Sequence, residues 1–307
     1  MYELTIIGGG PAGIAAGVYA SRKQLKTLFI TKDWGGQSTV STDIQNWIGT
    51  PSISGNKLAE DLRKHLETYA NGYVDIKISS LVTKIEKQTE GFLIHLDSGE
   101  TFSTKTVLVA SGSQRRKLIA ENADLFEHKG LTYCASCDGP MFSGQDVVVV
   151  GGGNAAFETA AQLLAYTKSV TLLQRSGTFK ADPVTVKKVL THPNMKAILN
   201  AQIQTITGER FVSGLTYLDS STNTSHSLAV TGIFIEIGMI PNTSYLNEVL
   251  TLDSMGRVVI DPWTQKTTTQ GIWAAGDCTN ILYHQNNIAA GDAVRALEDI
   301  YVTLRTK

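Results

Sequence analysis

The sequence has little of what would tie it to a surface or a secreted scaffold. Three cysteines in 307 residues are too few for the cross-linked framework of a small extracellular domain. A formal charge of −1 leaves nothing to draw the chain to nucleic acid or to an anionic membrane face. No uninterrupted apolar run reaches the length a bilayer demands. Met1-Tyr2-Glu3-Leu4 carries neither a basic n-region nor a cleavage site, so the start does not read as a signal peptide. The expectation is a cytoplasmic protein with room for two domains of ordinary size.

Two of the three cysteines stand together in Cys134-Ala135-Ser136-Cys137-Asp138-Gly139. Cysteines separated by two residues can close a small strained disulfide, and the spacing lowers the thiol pKa of one partner. Asp138 puts a carboxyl beside the pair, where it can move a proton as the dithiol forms. Two plainer readings stand next to this one. Half a zinc site has the same spacing, but the chain offers only Cys278 as a further cysteine and no paired histidines. Buried cysteines also serve as small apolar residues. The company tips the balance toward redox chemistry, because the pair lies between two glycine fingerprints.

The first fingerprint is Gly8-Gly9-Gly10-Pro11-Ala12-Gly13, preceded by the apolar run Leu4-Thr5-Ile6-Ile7 and followed by a helix over 14–23. Gly8 makes the tight turn, Gly10 lets a pyrophosphate approach, and Gly13 lets the helix pack on the strand. The helix then aims its free N–H groups at the phosphates. A second strand over 27–30 ends in Thr31-Lys32, where a ribose-binding carboxylate usually stands. Trp34-Gly35-Gly36-Gln37-Ser38 is a turn whose glycines let backbone N–H groups face a phosphate or a flavin edge. A loop through Asn46 leads to an amphipathic helix over 55–69. Alternating strands fill 76–106, with a hairpin at Asp97-Ser98-Gly99. The run Val107-Leu108-Val109-Ala110-Ser111-Gly112 is a buried strand at whose end the chain crosses to another domain.

Strand 146–150, Gly151-Gly152-Gly153-Asn154-Ala155-Ala156 and a helix over 155–165 repeat the first unit. The next strand, 170–173, ends in Gln174-Arg175-Ser176. An acidic residue there favours NADH and a cation favours NADPH, so Arg175 and Lys180 lean toward NADPH. Alternation over 197–231 gives way to a buried strand over 232–240 and a second crossing at Pro241-Asn242. Near the end, Gly276-Asp277 follows a strand. Asp277 reads as an acceptor for a flavin's ribityl hydroxyls, or as an N-cap. Tyr283-His284-Gln285 precede a final helix over 287–305, and Cys278 reads as a packed thiol.

These residues in this order resemble the low-molecular-weight thioredoxin reductase family, and are similar to the reductase portion of alkyl hydroperoxide reductase flavoprotein subunits. The resemblance implies an α/β fold of two Rossmann-like three-layer nucleotide-binding domains. The FAD domain is discontinuous, over 1–112 and 242–307, and the nicotinamide domain over 113–241 carries the dithiol. By the same resemblance FAD is held by Gly8, Gly10, Pro11, Ala12, Gly13, Thr31, Lys32, Gly35, Gly36, Gln37, Ser38 and Asn46. Further along, Ala110, Gly112, Gly276, Asp277, His284, Gln285 and Asn286 complete that site. NADPH, or NADH, falls to Gly151, Gly153, Asn154, Ala155, Ala156, Arg175 and Lys180.

The implied reaction takes electrons from NAD(P)H through FAD and the Cys134–Cys137 dithiol to a thioredoxin- or glutaredoxin-like protein disulfide. Cys137 faces the flavin, Cys134 attacks the substrate and Asp138 is the general acid. A homodimer is expected, with no metal, nucleic acid or membrane partner. One flavin face cannot serve nicotinamide and dithiol at once, which calls for rotation about the crossings near Gly112 and Pro241. Two variants on the scaffold remain: a donor such as ferredoxin or a second flavin, and a flavin-dependent dithiol oxidase.

Overall fold

The computed structural model describes residues 1–41 and 43–306, with Cys137 described by its backbone alone. The chain divides into two compact units, Met1–Gln114 with Ile240–Lys307, and Arg115–Met239.

In the first unit, β1 (Tyr2–Ile7) runs into α1 (Pro11–Arg22), then β2 (Thr27–Thr31). Leu4 and Ile6 are buried on one face and Thr5 and Ile7 on the other, as a parallel strand covered on both faces requires. Helix α2 (Gly55–Tyr69) has the ends expected from sequence because both signals are local. The Ser54 hydroxyl caps it by accepting the Lys57 N–H, and Leu58, Ala59 and Leu66 form its buried stripe. Strand β3 (Val74–Ile78) follows. The meander β4 (Val82–Lys87), β5 (Phe92–Leu96) and β6 (Thr101–Val109) then lays the sheet out as β3-β2-β1-β6-β5-β4.

The second unit follows the crossing strand β7 (Ser113–Arg115). In chain order it holds β8 (Leu131–Thr132), α3 (Ala135–Asp138), β9 (Asp146–Val150), α4 (Asn154–Leu163), β10 (Ser169–Leu173), α5 (Pro183–Leu190) and β11 (Met195–Ile198). An antiparallel meander follows, β12 (Ala201–Gly208), β13 (Val212–Asp219) and β14 (Thr224–Leu228), and then β15 (Gly232–Ile235). The parallel sheet has the order β11-β10-β9-β15-β8. The strand expected over 232–240 is two strands. β15 stops at Ile235, Gly238 takes a left-handed φ of +98°, and β16 (Met239–Pro241) pairs instead with β7.

Back in the first unit, β17 (Ile272–Ala274) joins β6 in parallel and α6 (Asn286–Arg305) packs on α1. Trp273 is fully buried between them, its indole N–H donating to Asp299 at 2.9 Å. Among the described residues no helix is long and apolar enough to cross a membrane.

Candidate active site

In the first unit the sheet opens into a cleft of about 1020 Å³ at the ends of β1 and β2. Gly8 leaves β1 at φ +121°, and a Cβ there would stand 2.1 Å from the Ala110 carbonyl oxygen, so only glycine makes this turn. Gly13 lies behind the cleft, packed against the Gly8 carbonyl. Gly10, Pro11 and Ala12 line it, and a Cβ on Gly10 would meet nothing within 4 Å. Helix α1 starts with no side-chain cap and no acid in its first turn, which leaves its N-terminal N–H groups for an anion.

Ala110, Gly112, Gly276 and Asp277 enter the lining from the ends of β6 and β17. Thr31 and Lys32 enter from β2, but the Thr31 hydroxyl is engaged, donating to the Asp33 carbonyl. Asp33 itself lines the cleft, so a carboxylate does stand past β2, two residues beyond Thr31. Gly36, Gln37 and Ser38 line the cleft, whereas Gly35 stands behind and donates its N–H to the Gly9 carbonyl at 2.7 Å.

Hydrogen bonds fasten this stretch and the loop after it to the start of α6. Ser38 Oγ donates to Asn286 Oδ1 at 3.1 Å, and Asn46 Nδ2 to Gln285 Oε1 at 3.0 Å. Asn286 lines the cleft; Asn46, His284 and Gln285 stand outside the lining. His284 Nδ1 is 3.4 Å from Asp277 Oδ1 without hydrogen-bond geometry. Asp277 is no N-cap, because α6 begins only after Gln285. Cys278 is free and fully buried, with burial pushing its thiol up to about 11.

Two further lining residues, Trp34 and Tyr245, stand outside the set expected to hold the cofactor. The Trp34 indole stacks on Phe29 with centroids 5.6 Å apart, and Arg63 lies 5.5 Å from its ring centre. Its Nε1 is buried without a partner, and so is the hydroxyl of Tyr245. Ser111 is beside Tyr245, and its hydroxyl donates to the Asn242 carbonyl at 2.7 Å.

The second unit repeats the turn. Gly151 has φ +144° and a Cβ there would lie 2.2 Å from the Glu236 carbonyl oxygen. Gly153 caps α4 without a side-chain bond, and Ala155 and Ala156 follow in its first turn. Asn154 uses Oδ1 to accept the Asp182 N–H at 2.8 Å. Arg175 and Lys180 are exposed, and the Lys180 N–H donates to the Gly152 carbonyl at 2.7 Å. Gln174 is buried against Gly152 and closes its amide within its own loop. Its Oε1 accepts the Arg175 N–H at 3.1 Å, and its Nε2 donates to Ser176 Oγ at 2.8 Å and to the Thr178 carbonyl at 3.0 Å.

The dithiol segment follows β8 as the single turn α3. Cys134 is disulfide-bonded. The Cys137 side chain lies outside the described residues. Asp138 N–H donates to the Cys134 carbonyl at 3.0 Å, and the Thr132 hydroxyl donates to Asp138 Oδ2. Thr132 Oγ also accepts the Cys134 N–H at 3.4 Å. A carboxylate is therefore held beside the half-buried Cys134 by a threonine that sequence reading missed.

Two nucleotide-type turns and a redox disulfide on one chain agree with the family profile that it matches over residues 2–294, described as pyridine nucleotide-disulphide oxidoreductase. The chain belongs to that family. Among its curated relatives is an NADH dehydrogenase of Bacillus subtilis (strain 168), 35% identical over 96% of this chain and 57% of its own length. Another is the F component of the alkyl hydroperoxide reductase of Escherichia coli (strain K12), 37% identical over 100% of this chain and 59% of that protein. The chain thus spans under two thirds of the length of these relatives. Among solved structures, thioredoxin reductase from Streptococcus pyogenes MGAS5005 aligns with a TM-score of 0.90 at 31% identity, covering 100% of this chain and 99% of that one. The enzyme from Giardia duodenalis gives 0.91 at 30% identity, with the same coverage.

The family implies a flavin and a pyridine nucleotide. The first-unit cleft fits a flavin dinucleotide on three observations. The Gly10 surface is open, the start of α1 is uncapped, and Trp34 Nε1 and Tyr245 OH are buried donors that a ligand in the cleft can satisfy.

Proposed function

We propose that the chain is an FAD-dependent disulfide reductase of thioredoxin reductase type, acting on a thioredoxin- or glutaredoxin-like protein disulfide as a cytosolic homodimer. FAD belongs in the first-unit cleft and the nicotinamide donor on the second fingerprint, with NADPH favoured over NADH through Arg175 and Lys180. The observation that carries this reading is the disulfide-bonded Cys134, with Asp138 fixed beside it, in the same compact unit as the second fingerprint.

Bound FAD would supply two-electron transfer from the nucleotide to the dithiol. The chain's own groups handle the rest. Asp138 takes the Cys134 thiol proton as that sulfur attacks the substrate disulfide, forming a mixed disulfide, and passes the proton to the substrate thiolate released. The Cys137 thiolate then attacks the Cys134 sulfur, closing the Cys134–Cys137 bond and releasing the second substrate thiolate. Thr132 keeps the Asp138 carboxyl turned toward this exchange.

One observation favours a second reading, in which ferredoxin or a second flavin is the donor. Gln174 is closed on its own loop, so the grip on a 2′-phosphate falls to two exposed cations. The experiment is anaerobic reduction of the flavin-loaded chain by NADPH, NADH and reduced ferredoxin in turn, followed by an oxidised thioredoxin, in wild type and Cys134→Ser. Flavin reduction by NADPH in both proteins, with disulfide reduction lost only in the variant, is the expected result. Disulfide reduction surviving in Cys134→Ser would overturn the dithiol's role, and reduction by ferredoxin alone would favour the second reading.

A further inference from the structure

β15 ends at Ile235, and Glu236 is the first residue beyond it. It stands where the strand order reverses. From β9 the chain runs through α4 to β10 on one side, while β15 flanks β9 on the other. In open parallel sheets a ligand lies outside the carboxyl ends of the strands at such a point.

The backbone of Glu236 is locked to the fingerprint. Its N–H donates to the Val150 carbonyl at 2.8 Å, and its own carbonyl fills the space that a side chain at Gly151 would need. Its carboxylate points along α4, where Oε1 accepts the Thr159 hydroxyl at 2.8 Å. Thr159 is five residues past Asn154, about 7–8 Å along the helix from the end that receives the phosphates. The charged groups facing Glu236 are Glu158 on α4 and Arg115 at the end of β7. Burial pushes the Glu236 carboxyl up to about 7, and Glu158 adds to this. The Thr159 hydrogen bond and Arg115 hold it back.

We propose that Glu236 is a proton-linked gate on the nucleotide site, so that a nicotinamide dinucleotide is taken up with this carboxyl neutral and a proton enters with it. The inference rests on the reading of the second fingerprint as that dinucleotide's site. A pyrophosphate seated at the start of α4 would lie about 7–8 Å along the helix from the Thr159 that holds the Glu236 carboxylate, near enough to repel that charge where burial leaves little water to screen it. The sign is fixed by linkage. Binding raises the carboxyl's pKa, so affinity is fully present below the free-protein value near 7 and is lost as pH rises through it.

The test uses the flavin-loaded chain and 1,4,5,6-tetrahydro-NADH, which has the charge of NADH and delivers no hydride. It also lacks the 2′-phosphate, whose own second ionisation near pH 6 would blur the result. Calorimetric titration is run from pH 6.5 to 8.5 in two buffers of different protonation enthalpy. Wild type is expected to take up close to one proton per nucleotide at pH 8 and to weaken about twentyfold across the range. Glu236→Gln keeps an acceptor for Thr159; it should take up no proton, show a flat profile and bind more tightly than wild type at pH 8.5. Thr159→Val should move the wild-type midpoint to higher pH, which keeps the test open if Glu236→Gln fails to fold. Binding without proton uptake in wild type, or uptake unchanged in Glu236→Gln, overturns the inference alone. No binding to either protein at any pH, by the analogue or by NADP+ as a control, overturns the nucleotide site and the inference together.

Discussion

The Thr132 hydroxyl donates to the carboxylate of Asp138, and its oxygen accepts the N–H of Cys134. Thr132 ends a buried strand, so the contact anchors the dithiol turn to the sheet at the residue proposed to move protons. A hydrogen bond to a charged group contributes roughly 1.5–3 kcal/mol. If that orientation is used in the exchange, Thr132→Val should slow protein-disulfide reduction about tenfold or more. The rate of flavin reduction by the nucleotide should not change. Stopped-flow traces of the two half-reactions separate them, and equal slowing of both would make Thr132 merely structural.

Gly8 and Gly10 should fail in different ways. Gly8→Ala forces a left-handed φ and a contact on the Ala110 carbonyl, so it should lower the melting temperature and cost FAD together. Gly10 has an ordinary φ of −80° and open space around it, so Gly10→Ala should fold and melt like wild type. Its methyl stands where a pyrophosphate would approach, and FAD should bind at least tenfold more weakly, on the order of 1.4 kcal/mol. Calorimetry of the apoprotein and FAD titration check the pair. Undiminished FAD binding by Gly10→Ala would contradict the cleft assignment.

Trp34→Phe keeps an aromatic ring beside Phe29 while removing the buried N–H together with part of the indole. A neutral hydrogen bond contributes about 0.5–1.5 kcal/mol, so FAD affinity should fall about threefold to tenfold with secondary structure intact. Tyr245→Phe should behave alike. If neither variant weakens FAD, those donors do not serve the ligand, and removing an unpaired polar group should instead raise apoprotein stability.

Arg175→Ala should cost NADPH about tenfold in affinity and leave NADH nearly unchanged, because only NADPH has a charge at that place. The exposure of Arg175 argues for the low end of the range for charged contacts. Flavin reduction as a function of each nucleotide's concentration measures it. Equal losses for both nucleotides would assign Arg175 to the fold.

What sequence made legible follows from how local each signal is. The β1–α1 and β9–α4 units announce themselves within a dozen residues, by an apolar run, glycines and a helix. Helix 55–69 is bounded by its own cap at Ser54 and its own stripe. The strand expected over 232–240 went wrong at Gly238, whose left-handed φ breaks a run that composition alone reads as continuous. Thr132 looked like any strand threonine, since its partner Asp138 is reached only when α3 folds back. Tyr245 and Trp34 enter the cleft from segments 211 residues apart in sequence (245 − 34), and no local pattern records that meeting. Glu236 was hidden for the same reason: its significance comes from the Gly151 turn and from Thr159, both far upstream.

The relay itself is tested most directly by counting electrons. FAD accepts two, and a disulfide in series with it accepts two more. Anaerobic titration of the flavin-loaded chain with NADPH, followed by alkylation and peptide mass mapping, should consume two equivalents of NADPH per chain and label Cys134 and Cys137. Uptake that stops at one equivalent, with the flavin bleached and Cys134 still unlabelled, would contradict the account.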